Sequence, residues 1–190
     1  VGSNNSRNFP DRPLAEIINA MFDDTQTRFS IDQNRVYTAG MSGRARVAGM
    51  VAQSLRGGAA GVILCGAGFS EAKPPEKALP FPVFGVAGAE DFNWIELRQL
   101  HRTLDSIGSA NRFVTFDGDH TWAPWDFCLT AVEWMEIQAM KSGRRGRDEK
   151  LIAELFDKMA GQARADESAK RVYGAVLKSE AIAKDFHGLR

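Results

Sequence analysis

"RVYTAGMSGRARVAGMVAQ", Arg35 to Gln53, decides how the rest of the chain is read. A β-branched and aromatic run, Val36 to Thr38, leads into Gly40, and a helix-like stretch rich in alanine and valine begins almost at once. Ser42 lies in the few residues between them. Strand, sharp turn, serine and helix in that order leave two readings. Ser42 is either a nucleophile lifted on a strand-to-helix turn or an ordinary turn serine of the kind that glycine-rich connections carry. Arg44 complicates the first reading, because a small residue is expected there so that the helix can approach the strand. Its long charged side chain must turn outward or push the helix away.

Working outward, "GVILCGAGF" (61–69) and "FPVFGVAG" (81–88) are apolar on both faces, and "RFVTFDG" (112–118) forms a further strand pattern. Helical patterns follow the first strand, span roughly Asn93 to Ile107, and run from roughly Trp125 to Met140. Strands without polar alternation, interleaved with helices, require a parallel sheet covered on both sides. The expected fold is therefore a three-layer α/β fold with a mostly parallel sheet. Upstream, Leu14, Ile17, Ile18, Met21 and Phe22 keep helical spacing after Asp11 and Pro13, which predicts an amphipathic helix packed on something. "VGSNNSRN" at the start reads like the tail of a buried strand entering a polar loop.

Past Met140 the composition turns to "KSGRRGRDEK" and then to two helical stretches, with no strand pattern returning. This places a boundary near Ser142, with residues 1–141 as the α/β portion and 142–190 as a helical appendage. A single helical hairpin is too little for a repeat array.

Composition narrows the function by exclusion. The chain has 190 residues, with 24 Lys plus Arg against 24 Asp plus Glu, so no global field favours nucleic acid, anionic lipid or acidic substrates. No apolar run approaches bilayer length, so the reading is a soluble protein without a membrane partner, and export stays open should a signal segment precede Val1. Two cysteines, Cys65 and Cys128, make neither a disulfide framework nor a metal cluster and are expected as buried free thiols. "DGDH" (117–120) lacks the second histidine that a metal site would want, and neither "GGAAG" nor "GVAGAE" completes a dinucleotide fingerprint. No metal and no organic cofactor is implied. "KSGRRGR" reads as a solvated linker.

In parallel α/β sheets, ligands bind at the carboxyl ends of the strands. Ser42 follows the first strand, Glu90 and Asp91 the third, and Asp117, Asp119 and His120 the fourth. His101 falls within a helix and His187 near the C-terminus, so His120 alone directly follows a strand. A serine needs an imidazole to take its proton, and the imidazole needs a carboxylate to orient it and balance its charge.

"NRVYTAGMSGRARVAG", "PVFGVAGAEDFNW" and "FDGDHTWAPWDF" together resemble the catalytic half of an α/β-hydrolase, of the esterase and polyester-depolymerase-like branch. The resemblance covers roughly Val1 to Met140 and implies further strands before Val1, carrying a loop that supplies one oxyanion-hole amide. It implies Ser42 as nucleophile, Gly43 as the oxyanion-stabilising amide, Asp91 as the acid with Glu90 in reserve, and His120 as the base. Met41 is an implied substrate contact, and Trp122, the aromatic that commonly follows the histidine in that branch, is read with Trp125 either as lining a pocket beside the base or as core at the start of the next helix. The implied activity is hydrolysis of a small or polymeric carboxylic ester through an acyl-enzyme. Arg44 and the loop implied upstream leave a second reading open, a catalytically impaired hydrolase-like module acting in protein contact. An unpaired sheet edge would recruit another chain and give a homodimer.

Overall fold

The computed structural model describes residues 13–55, 57–70 and 74–190; Asp11 and the opening "VGSNNSRN" lie outside them. By their contacts the described residues form two compact units, divided between Ala131 and Val132.

The first unit is built on four parallel strands in sequential order: β1 Val36–Met41, β2 Ala59–Cys65, β3 Val83–Gly88 and β4 Asn111–Phe116. Helix α1, Leu14–Arg28, precedes the sheet, α2, Gly43–Ser54, joins β1 to β2, and α3, Trp94–Ser106, joins β3 to β4. Helix α4, Trp125–Lys141, follows β4. Parallel neighbours need such crossovers because no tight turn can return a chain to the same end of the sheet.

One face of the sheet is packed by α2 and α3 together. Ala45, Ala48 and Ala52 of α2 share a core with Val62 and Leu64 of β2, Val83 and Ala87 of β3, and Leu97 and Leu104 of α3. The alanines let α2 lie close, and Thr38 of β1 ties to it by donating its hydroxyl to the Ala48 carbonyl at 2.9 Å. On β4, Phe113 packs against this same core and Thr115 accepts from the Trp94 indole at 2.9 Å. Side chains alternate along a strand, so Phe116 points off the opposite face. There it meets Phe127 of α4, with ring centroids 5.7 Å apart. Helices therefore stand on both faces, giving the three layers that the apolar strands demanded.

Helix α1 forms as its periodicity predicts, but none of its residues is fully buried. Leu14, Ile17, Ile18, Met21 and Phe22 are each only partly shielded, so the stripe sets the helix without becoming core. Cys65 is buried as expected, whereas Cys128 is only half-buried; both are free thiols.

The second unit contains the end of α4 with α5, Glu149–Ser168, and α6, Val172–Phe186. Ile137 and Met140 of α4 share a core with Ile152, Leu155, Phe186 and Leu189. Asp148 caps α5 by accepting from the Leu151 N–H at 3.0 Å. The Trp134 indole donates to Asp185 at 2.8 Å, and Phe156 meets Phe186 edge to face at 5.3 Å. The turn between α5 and α6 is fixed by Asp166, whose carboxylate accepts from Arg171 at 2.6 and 2.9 Å and from Lys178. These two cations hold the Asp166 carboxyl below its ordinary range. Among the described residues, no helix is long and apolar enough to cross a membrane.

Candidate active site

Three loops at the carboxyl ends of β1, β3 and β4 converge. The turn after β1 is the tightest of them: Ser42 has φ 56° and ψ −128°, a conformation that side chains other than glycine rarely adopt. Two residues earlier, a Cβ on Gly40 would stand 2.2 Å from the Arg44 carbonyl oxygen, so only glycine lets the helix start so close to the strand. Ser42 stays attached to the sheet through its N–H, which donates to the Cys65 carbonyl at 2.8 Å.

A serine ahead of a helix ordinarily caps it, accepting from a first-turn N–H. Ser42 makes no such side-chain bond, although α2 begins at the next residue. Its hydroxyl lies instead 2.9 Å from His120 Nε2. On the other side of the ring, Nδ1 lies 2.9 Å from Asp91 Oδ1. A carboxylate can only accept, so Nδ1 carries the proton and Nε2 is left as the acceptor for the serine hydroxyl. The arrangement can draw a proton from Ser42 while a carboxylate balances the positive charge that forms on the ring.

The Asp91 side chain is fully buried and that of His120 is 20% exposed. Asp91 Oδ1 also accepts from the Asn93 N–H at 2.7 Å, closing an Asx turn, and the Asn93 side-chain amide donates to the Gly66 carbonyl at 2.8 Å. Asn93 thus binds the loop after β3 to the turn after β2. Asp91 Oδ2 is buried with no hydrogen-bond donor among the described residues.

The loops after β3 and β4 meet at Gly88, where a Cβ would lie 2.2 Å from the Gly118 carbonyl oxygen and 2.3 Å from that of Asp119. The Glu90 N–H donates to the Gly118 carbonyl at 2.9 Å, which draws the His120 loop over Asp91. Glu90 itself is exposed, as are Asp117 and Asp119, so Asp91 is the carboxylate that meets the imidazole. His101 is committed elsewhere, to Asn111 and, at 3.5 Å, to Asp105.

Gly43 opens α2, so its N–H is among those with no partner inside the helix. Arg44 is exposed while Ala45, one position later, is fully buried. The close packing expected at position 44 is therefore carried by Gly40 and Ala45, and Arg44 turns its charge to water. Met41 ends β1 half-buried, immediately before Ser42. Trp122 is 53% exposed and Trp125 more so, outside the core. Two neighbours of the site were not read from the sequence. Phe92 lays its ring 4.1 Å from that of His120, centroid to centroid, and Asn93 makes the two bonds just described. The Asp-x-Asn spacing at 91–93 is the signal that could have exposed the Asx turn.

A sheet of parallel strands in sequential order with helices on both faces has the architecture of the α/β-hydrolase fold. Solved structures agree. S-formylglutathione hydrolase FrmB from Staphylococcus aureus matches with TM-score 0.52 and 19% identity over 64% of this chain and 59% of its own. FphF, a fluorophosphonate-binding serine hydrolase of Staphylococcus aureus, matches with TM-score 0.53 and 17% identity over 64% of this chain and 62% of its own. A thermostable esterase matches with TM-score 0.51 and 20% identity over 67% of this chain and 36% of its own. At these identities the likeness is one of fold, and the chain spans less than two thirds of each of these proteins. No family model and no curated protein matches the sequence.

Proposed function

We propose that the chain is a serine hydrolase that cleaves a carboxylic ester through an acyl-enzyme, with Ser42, His120 and Asp91 as its catalytic triad. The observation that carries this reading is the pair of 2.9 Å bonds on either side of the His120 ring, one to Ser42 and one to Asp91. Additional support comes from the backbone of Ser42 itself, held in a conformation costing about 1–3 kcal/mol that a plain turn serine has no reason to keep.

In the proposed cycle, His120 Nε2 takes the hydroxyl proton as Ser42 Oγ attacks the ester carbonyl carbon. The carbonyl π pair moves to oxygen, which lies against the Gly43 N–H. One such donor is worth roughly 2.7–4 kcal/mol in the transition state where it has been measured. The tetrahedral intermediate collapses, the bond to the alcohol oxygen breaks, and His120 returns its proton to that oxygen. Water, deprotonated by the same imidazole, then attacks the acyl-serine, and the acid leaves with Ser42 restored. Asp91 keeps the ring in the required tautomer throughout. Every step is a proton or acyl transfer among these side chains, the ester and water. Met41 and Trp122 are assigned to the substrate-facing wall.

Hydrolysis of p-nitrophenyl acetate tests the proposal. Ser42→Ala and His120→Ala should each lower kcat by more than about 10³-fold, and the double variant should lose little more, since the two groups act as a unit. Turnover by Ser42→Ala at the parent rate would overturn the assignment.

A further inference from the structure

Phe92 is out of place as a structural residue. It is 74% exposed, yet its ring lies against the His120 imidazole at 4.1 Å, tilted by 35°. Its backbone is held on both sides. Asp91 is bonded to His120 and to the Asn93 N–H, and the Asn93 amide is bonded to Gly66, so the ring is presented from a fixed loop. A large apolar ring held from a fixed loop against the imidazole offers its exposed face to whatever lies beside His120.

Resting on the reading of Ser42 and His120 given above, we propose that Phe92 forms the subsite for the alcohol part of the ester, and that this part is a neutral aryl or other flat apolar group. The direction follows from the chemistry. The acyl carbon must lie at Ser42 Oγ, with its carbonyl oxygen toward the Gly43 N–H. His120 Nε2 must deliver its proton to the leaving oxygen, so the alcohol carbon attached to that oxygen lies alongside the imidazole. The ring that flanks the imidazole is therefore the alcohol's neighbour. Trp122, exposed two residues after His120, offers a further aromatic surface from the same loop. Glu90, Asp117 and Asp119 stand exposed in the loops that carry Phe92 and His120, and they disfavour an anionic alcohol.

The test is a binding measurement in the Ser42→Ala background, where no turnover interferes. Ethyl acetate, benzyl acetate and ethyl benzoate are titrated while the His120 ring protons are followed by NMR. Benzyl acetate should bind more tightly than ethyl acetate, and Phe92→Ala should reduce that preference about three- to tenfold, the range expected for one aromatic pair. Phe92→Tyr, which keeps the ring, should retain the preference. The preference for ethyl benzoate over ethyl acetate should move less than twofold. The proposal is overturned if benzyl acetate has no advantage, if Phe92→Ala leaves the advantage intact, or if the acyl series moves as much as the alcohol series. Turnover of benzyl acetate by the unmodified chain is scored separately. Its absence would remove the catalytic assignment, while the binding ratio would still decide the role of Phe92.

Discussion

The backbone of Ser42 permits a test of the site that needs no substrate. At φ 56° and ψ −128° an L-residue carries strain of about 1–3 kcal/mol, whereas glycine carries none. Ser42→Ala and Ser42→Gly both remove the hydroxyl, and with it the bond to His120, so that loss cancels between them. They differ only in the Cβ. At an unstrained position alanine is the more stable by about 0.4–1 kcal/mol, because glycine gives the unfolded chain more freedom. At position 42 the strain should outweigh that difference and reverse its sign, leaving Ser42→Gly more stable than Ser42→Ala by about 0.5–2 kcal/mol. Urea unfolding of the two variants, followed by circular dichroism with matched m-values, measures the quantity directly. Equal stability, or a more stable alanine variant, would show that the turn is relaxed and would refute the strained-turn argument.

Two further outcomes follow from buried groups. Asp91→Asn should lower ester hydrolysis by up to about 10⁴-fold, since an amide can no longer fix the Nδ1-protonated tautomer. Retained activity would contradict the role given to Asp91. Burial pushes the Cys65 thiol up to about 11 from an ordinary value of 9.0. The unfolded chain therefore loses this proton first as pH rises, and the stability associated with the neutral buried thiol, fully present below about pH 9, declines toward pH 11. Unfolding free energies of the parent and Cys65→Ala should diverge across that window with a slope of at most about 1.4 kcal/mol per pH unit. Parallel curves would contradict it.

Much of this was legible in the sequence because it depends on local pattern. Runs such as "GVILC", apolar on both faces and interleaved with helices, pointed to buried parallel strands, and the order serine, acid, histidine after the first, third and fourth strands pointed to the loops that the fold brings together. What escaped depends on partners distant in sequence. The apolar stripe of α1 predicted its helix but could not say how much of it would be covered. The helical pattern past Met140 gave no sign that α5 would run through Ser168 and break around Lys170, at φ 58°, where Asp166 gathers Arg171 and Lys178. Arg44 looked like an obstacle to close packing because the compensating close approach, Gly40 against the backbone of residues 44 and 45, exists only in three dimensions. Phe92 was invisible for the same reason, since nothing in "AEDFNW" says that its ring will lie on an imidazole 28 residues further along.

The central claim is that Ser42 is a nucleophile activated by His120. Intact-mass analysis after treatment with a fluorophosphonate probe tests it most directly. A single adduct mapping to Ser42, absent from Ser42→Ala and strongly slowed in His120→Ala, is the expected result. An unlabelled chain, or labelling that persists unchanged in Ser42→Ala, would contradict it.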